Sequence, residues 1–238
     1  MDLKELELAG GDAARHWYYR SKSRMMLSHV NGLSPDSVMD VGSGSGFFAR
    51  QILAHTGARE VTCVDNGYDA DAVETTDGKT LRFVRAVTTS DADLMVMMDV
   101  LEHIEDDVAF LDEYVSLATP GTHLFITVPA FQFLWSGHDV FLEHYRRYSL
   151  DSLGRLVRGA GLEIRSGHYF FGAAFPIAAA VRLKDRFLSK GPPTSSMRSH
   201  SSLVNSIAYG VCRTEMAAMK LNRLAGLSVV MLARKPVG

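Results

Sequence analysis

Cysteine is scarce: Cys63 and Cys212 are the two in 238 residues, and they show no C-x-x-C spacing. That excludes a disulfide-stapled scaffold and gives no zinc or redox pair. Cys63 lies in an apolar run and reads as a buried thiol. Long hydrophobic runs are also missing. The longest, residues 170–181, has twelve positions and contains Gly172 and Pro176, whereas crossing a bilayer takes about twenty. The start, Met1-Asp2-Leu3-Lys4-Glu5, is too charged for a signal peptide, so the chain reads as cytoplasmic. Charge of one sign is lacking too. The formal net charge of −2 gives no general attraction to nucleic acid or anionic membrane, and neither a nucleic-acid partner nor a transmembrane segment is expected. No internal repeat is visible.

What is present is an ordinary globular composition, 47% hydrophobic and 22% charged, in a length that fits one domain over residues 1–238. Short β-branched or Met-rich runs alternate with helical patterns, the signature of a parallel sheet with crossover helices. Strands are predicted at 37–41, 60–65, 81–85, 93–98, 123–128, 162–169 and 227–233. A helix over 105–118 carries Val108, Leu111 and Val115 on one face and stops at Pro120-Gly121. Ser149 reads as the N-cap of a helix that Gly161 ends. Residues 66–80 are polar and poorly periodic and read as mostly loop, and the link 84–93 is too short for a full helix.

Two segments fall outside this core. Residues 1–34 hold a basic, aromatic stretch, His16-Trp17-Tyr18-Tyr19-Arg20, that continues at helical spacing to Val30. Residues 171–226 interrupt the last two strands, with helices predicted from Pro176 and from Leu203. Together they are expected to cap the open edge of the sheet. Phe170, Phe171, Phe175, Ile177 and Val181 beside Arg182, Lys184 and Arg186 read first as cap core. They also suit an entry for an amphipathic acceptor or an interfacial membrane contact.

The most informative string is Val38-Met39-Asp40-Val41-Gly42-Ser43-Gly44-Ser45-Gly46-Phe47. A buried strand runs into a glycine turn, where the backbone can approach a ligand with no Cβ in the way. Asp40 can orient that turn or meet a cationic amino group. Asp65, which ends the next strand with Asn66 after it, can take both hydroxyls of a ribose. Doubly wound sheets bind ligands at these carboxyl ends. Gly44-x-Gly46-x-x-Ala49 also satisfies the dinucleotide pattern, so a nicotinamide or flavin competes with S-adenosylmethionine (SAM) as ligand.

Asp40-x-Gly42-x-Gly44-x-Gly46 resembles motif I of the class I SAM-dependent methyltransferases, and Asp65 resembles their ribose ligand. Asp99-Val100-Leu101-Glu102-His103 is similar to a stretch common in that superfamily, and Ala160-Gly161-Leu162 to its usual turn before the sixth strand. The resemblance covers residues 38–164. It implies an α/β, Rossmann-like, seven-stranded doubly wound sheet with an antiparallel last strand, here with a helical cap insertion. It also implies SAM as cofactor, with Asp99 and Val100 lining it. The N-terminal segment resembles the cover helix of a bacterial small-molecule group, in which Tyr18 and Arg20 would reach the methionine end of SAM, Arg20 pairing its carboxylate. The sequence departs from the pattern in having no acid at the end of the third strand.

Methyl transfer from a sulfonium needs the acceptor positioned and, for a poor nucleophile, deprotonated. Asp99, Glu102 and His103 form D-x-x-E-H, similar to the E-x-x-E-H that supports a divalent metal in quinone-biosynthesis O-methyltransferases. Asp99 in place of the first Glu shortens the reach and weighs against metal. A second cluster runs Trp135-Ser136-Gly137-His138-Asp139 to Glu143-His144-Tyr145-Arg146-Arg147-Tyr148 and resembles a run in the same bacterial group. His144 is the preferred base, with His103 and Asp139 as further catalytic candidates. Trp135, His138, Arg146, Arg147 and Tyr148 are read as acceptor-binding, the arginines suiting a carboxylate or phosphate. The bland reading makes Trp135 and Tyr148 packing and the arginines solvated charges. Three functions stay open: methyl transfer to a small molecule, an NAD(P)-linked oxidoreductase, and a SAM-fold protein that binds without turnover.

Overall fold

The computed structural model describes residues 15–188 and 201–237. In chain order the elements are α1 (Trp17–Val30), β1 (Ser37–Val41), α2 (Phe47–His55), β2 (Glu60–Val64), β3 (Ala72–Thr76), β4 (Lys79–Val84) and β5 (Leu94–Met98). There follow α3 (Asp107–Leu117), β6 (His123–Pro129), α4 (Gly137–Phe141), α5 (Leu150–Gly159), β7 (Glu163–Phe170), α6 (Phe175–Leu188), α7 (Ser202–Glu215) and β8 (Ser228–Arg234). Eight strands form one sheet in the order β3-β4-β2-β1-β5-β6-β8-β7. β4, β2, β1, β5 and β6 run parallel, while β8 is antiparallel to both β6 and β7.

The side-chain period of two divides the strands between two cores. Val38, Val61, Leu94, Val96, Met98 and Phe125 face one side with Phe48, Ala49 and Ile52 of α2. Met39, Val41, Met95, Met97, Leu124 and Ile126 face the other, under Leu111 and Val115 of α3 and Leu153 and Val157 of α5. Both faces being covered explains the near-continuous apolar strands. Val108, expected on the inner face of α3, is 55% exposed. The Ser149 cap forms as read, its hydroxyl accepting from the Ser152 N–H at 3.0 Å, and Gly161 leaves the helix at φ +77.

One expectation is corrected. The sheet has eight strands rather than seven, because 66–80 is not mostly loop: Asp77 (φ +52) and Gly78 (φ +74) make a two-residue turn that pairs β3 with β4. All five β3 residues are exposed, so no buried face left a hydrophobic period to read. The N-terminal helix α1 lies against the sheet, with His29 on His168 of the edge strand β7. Tyr19, Met25, Met26 and Val30 of α1 are core residues on the sheet face. α7 packs outside α1, the Trp17 N–H donating to Asn205 Oδ1 at 3.0 Å and the Arg20 guanidinium lying 3.9 Å from the Tyr209 ring centre.

Candidate functional site

The chain leaves β1 for β2 and β4, then returns to β5 on the other flank of β1. That reversal opens a crevice at the carboxyl ends of β1 and β5. The glycine turn enters it. Gly42, Gly44 and Gly46 all take left-handed backbone, at φ +65, +51 and +69. A Cβ on Gly42 would lie 2.7 Å from Val100 Cγ2, so the loop and the end of β5 are in contact. Asp65 organises the turn: Oδ2 accepts from the Gly44 N–H at 2.8 Å and Oδ1 from the Gly67 N–H at 2.9 Å. Tyr68, not singled out in the sequence, lays its hydroxyl 2.6 Å from Ser43 Oγ and donates to Gly44 O at 2.8 Å. Asn66 is exposed on the rim.

Asp40 is 1% exposed, and its Oδ2 is buried with no hydrogen-bond partner. Burial pushes its carboxyl up to about 7, against the hydrogen bond from the Ala49 N–H. A buried carboxylate with a lone oxygen, beside a turn of left-handed glycines, fits a ligand that carries a cationic amino group.

Asp99 begins a second network. It adopts φ +56 at the end of β5, strained backbone for a residue with a Cβ. Thr127 donates to its Oδ1 at 3.1 Å, and the buried Lys22 ammonium forms an ion pair with its Oδ2. Lys22 also donates to the Tyr18 hydroxyl at 3.2 Å, and Tyr18 stacks on Phe171 at 5.1 Å. Lys22 was missed, although it falls one turn after Tyr18 on a face continued by Met25 and Met26. Phe131, Glu143 and Phe171 are likewise left-handed, at φ +59, +59 and +62. Strain thus gathers after β5, β6 and β7 and just before His144.

The third group surrounds His144. Asp139 is fully buried, and its Oδ1 accepts from Arg147 Nε at 2.6 Å and lies 3.0 Å from His144 Nδ1. Its Oδ2 accepts from Ser136 N–H and Oγ at 2.8 and 3.2 Å. Burial alone would raise the Asp139 carboxyl; the bonds from His144 and Arg147 override it and hold the group well below the carboxylate range. With Nδ1 held, the imidazole offers Nε2. The His103 ring lies 4.6 Å from His144 and the His138 ring 6.4 Å. Burial, then the charge of Arg182, pushes His138 down to about 4.

Both Asp139 oxygens are engaged, Oδ1 by Arg147 and His144 and Oδ2 by Ser136. Arg147 is committed to Asp139 and to Ala130 O at 3.0 Å. Arg146 pairs with Asp107 at 2.6 Å, and the buried Tyr148 hydroxyl lies 2.7 Å from the same carboxylate, which ties both to the start of α3. The Arg20 guanidinium stacks on the Tyr209 ring. The D-x-x-E-H string is divided between two groups: Asp99 pairs with Lys22, while donor atoms of Glu102, His103 and His144 gather within 4.8 Å. Trp135 stays half-buried at the entry to α4. Arg182 of α6, read as cap surface, donates to Leu134 O at 3.2 Å; burial, then Arg147, pushes its guanidinium down to about 10.

A family profile described as a methyltransferase domain matches residues 15–166. The chain belongs to the SAM-dependent methyltransferases. The dinucleotide reading of Gly44 to Ala49 therefore lapses. Among curated relatives, the ubiquinone biosynthesis O-methyltransferase of Vibrio cholerae is 30% identical over 115 residues, 43% of this chain and 45% of that protein. The match thus spans under half the length of that relative. Among solved structures, a chain from the complex of the Haloferax volcanii Trm112 methyltransferase activator with a methyltransferase superposes with a TM-score of 0.59 at 17% identity, covering 98% of this chain and 95% of that one. A SAM-dependent methyltransferase from Mesorhizobium loti gives 0.52 at 17% identity, over 90% and 95%. Both show the fold. Among the described residues, no helix of this methyltransferase is long and apolar enough to cross a membrane.

Proposed function

We propose that this methyltransferase moves the methyl group of SAM in the cytoplasm to an oxygen of a small-molecule acceptor, a natural product or a lipid- or glycan-linked metabolite. His144 removes the acceptor proton. The observation that carries the reading is the Asp139–His144 pair: a fully buried carboxylate, fixed by Arg147 and Ser136, holds Nδ1 of a ring whose centre lies 4.6 Å from that of His103. A base held in one tautomer needs no reorganisation to accept a proton. The distant O-methyltransferase relatives support oxygen as the nucleophile.

In this reading Gly42, Gly44 and Gly46 let the backbone close on the cofactor, and Asp40 faces its ammonium. Asp65 keeps a free lone pair on each oxygen for the ribose, with Asn66 beside it. Asp99, Val100 and Tyr18 line the methionine end, Lys22 taking the cationic place first read for Arg20. SAM brings the activated methyl. Trp135, His138 and Arg182 surround the acceptor, Arg182 assuming the anion-facing role of Arg146 and Arg147.

The test is turnover by the purified protein against a panel of phenols and hydroxylated natural products, read as S-adenosylhomocysteine release. His144→Asn is expected to lower kcat by about 100-fold or more and leave SAM affinity unchanged. Undiminished kcat would refute the role. One observation favours a second use of the same side chain: Glu102, His103 and His144 fit a divalent cation, which would polarise the acceptor oxygen. Activity abolished by a chelator and restored by zinc or another divalent cation selects that reading; indifference to both selects the base.

A further inference from the structure

Exposed aliphatic side chains concentrate on the segment between β7 and β8. α7 has two faces. Asn205, Tyr209 and Cys212 turn inward, toward Trp17, Arg20 and the core. On the opposite face Leu203, Val204, Ile207 and Val211 are 69, 46, 60 and 45% exposed. Positions 203, 207 and 211 fall along one helical stripe with 204 beside it. Ile177 and Val181 of α6 are 73 and 52% exposed, and Leu221 and Leu224 beyond α7 reach 82 and 88%. Scattered apolar residues on a surface need no explanation, but a stripe does.

The charge of this segment is opposite to that of the remainder. Residues 171–226 hold eight Lys or Arg and two Asp or Glu, a net of +6, while the rest of the chain holds 17 and 25, a net of −8. Lys184, Arg213, Lys220 and Arg223 are exposed. Glu215, the acid of the segment whose side chain is described, is half-buried and accepts from the Gly172 and Ala173 N–H groups at 2.7 and 3.3 Å.

We propose that α7 and its flanks dock this methyltransferase on an anionic lipid bilayer, lying in the interface without spanning it. An aliphatic stripe flanked by cations is what the headgroup boundary of an anionic leaflet accepts. A second copy placed on the same face would set +6 against +6. Nucleic acid would ask for exposed stacking aromatics, and the stripe is aliphatic. The 14 residues of α7 extend about 21 Å, a length suited to lying flat. Docking does not depend on which acceptor or base the site uses.

The experiment is co-sedimentation of the full chain with vesicles of phosphatidylcholine alone or mixed with phosphatidylglycerol. Binding is expected to the mixed vesicles only and to weaken as salt rises. Ile207→Glu should abolish it. The pair Lys220→Ala and Arg223→Ala should weaken it about 30-fold, from the ~1 kcal/mol each basic side chain gains beside an anionic surface. All variants should keep wild-type unfolding and SAM affinity. Three results would overturn the proposal: no binding to mixed vesicles, binding that Ile207→Glu leaves intact, or a lipid-free dimer that Ile207→Glu disperses.

Discussion

Asp40→Asn tests the cofactor cradle through stability rather than turnover. The carboxyl is 1% exposed with Oδ2 unpartnered, and burial takes it from 3.8 to about 7. Because the folded value is raised, folding favours the protonated form. Stability is therefore fully present below the unfolded value and is lost as pH rises through the folded one. The step is worth about 4 kcal/mol. Asparagine cannot ionise, so it removes this loss, but its amide NH₂ replaces an unpartnered oxygen with an unpartnered donor at about 1–3 kcal/mol. That second cost is independent of pH. Urea unfolding of both proteins at about pH 4 and about pH 8 separates the two, because the cost cancels in the difference. The variant should gain about 4 kcal/mol on the wild type between the two conditions, while its SAM affinity falls. A gap that stays constant with pH would refute the buried-carboxylate argument, whatever happens to binding.

Two further outcomes follow from buried groups. Lys22→Met leaves Asp99 without its cation, and unfolding should become easier by about 3 kcal/mol. Asp99→Asn in the same chain should recover part of that loss, and simple additivity would disprove the coupling. His168 and His29 meet Nε2 to Nε2 at 3.2 Å inside the core, and burial pushes His168 down to about 4. A lowered histidine keeps its stability above the unfolded value of 6.5 and loses it as pH falls toward 4. His168→Gln should therefore gain about 3 kcal/mol on the wild type across that window; equal acid sensitivity in the two proteins would argue against the assignment.

The parallel sheet was legible because strands buried on both faces are continuously apolar, and because Ser149 and Gly161 mark the ends of their helix chemically. The glycine turn was legible for a similar reason: a close approach to Val100 demands glycine at position 42. The β3 strand was not, since every residue is solvated, although Asp77-Gly78 is a recognisable hairpin turn. In the site, adjacency along the chain misled. Asp99 and His103 are four positions apart but serve different networks, and His144, some forty residues on, joins His103 instead. Arg146 and Arg147 are neighbours in sequence that point to different partners. Lys22 and Arg182 were overlooked because each is one of several cations on its helix, and which of them turns inward depends on neighbours distant in sequence.

The exposed β3 strand contributes nothing to either core, and its consequence lies at the edge of the sheet. Without it, β4, whose Leu81 and Phe83 are buried, would present its open hydrogen-bonding side to any other extended chain. β3 occupies that side with Glu74 and three threonine- or valine-bearing positions, and the Arg50–Glu74 pair at 2.8 Å clasps the hairpin to α2. The hairpin thus sets the apolar β4 one strand in from the rim and leaves a five-residue, solvated strand as the outermost thread.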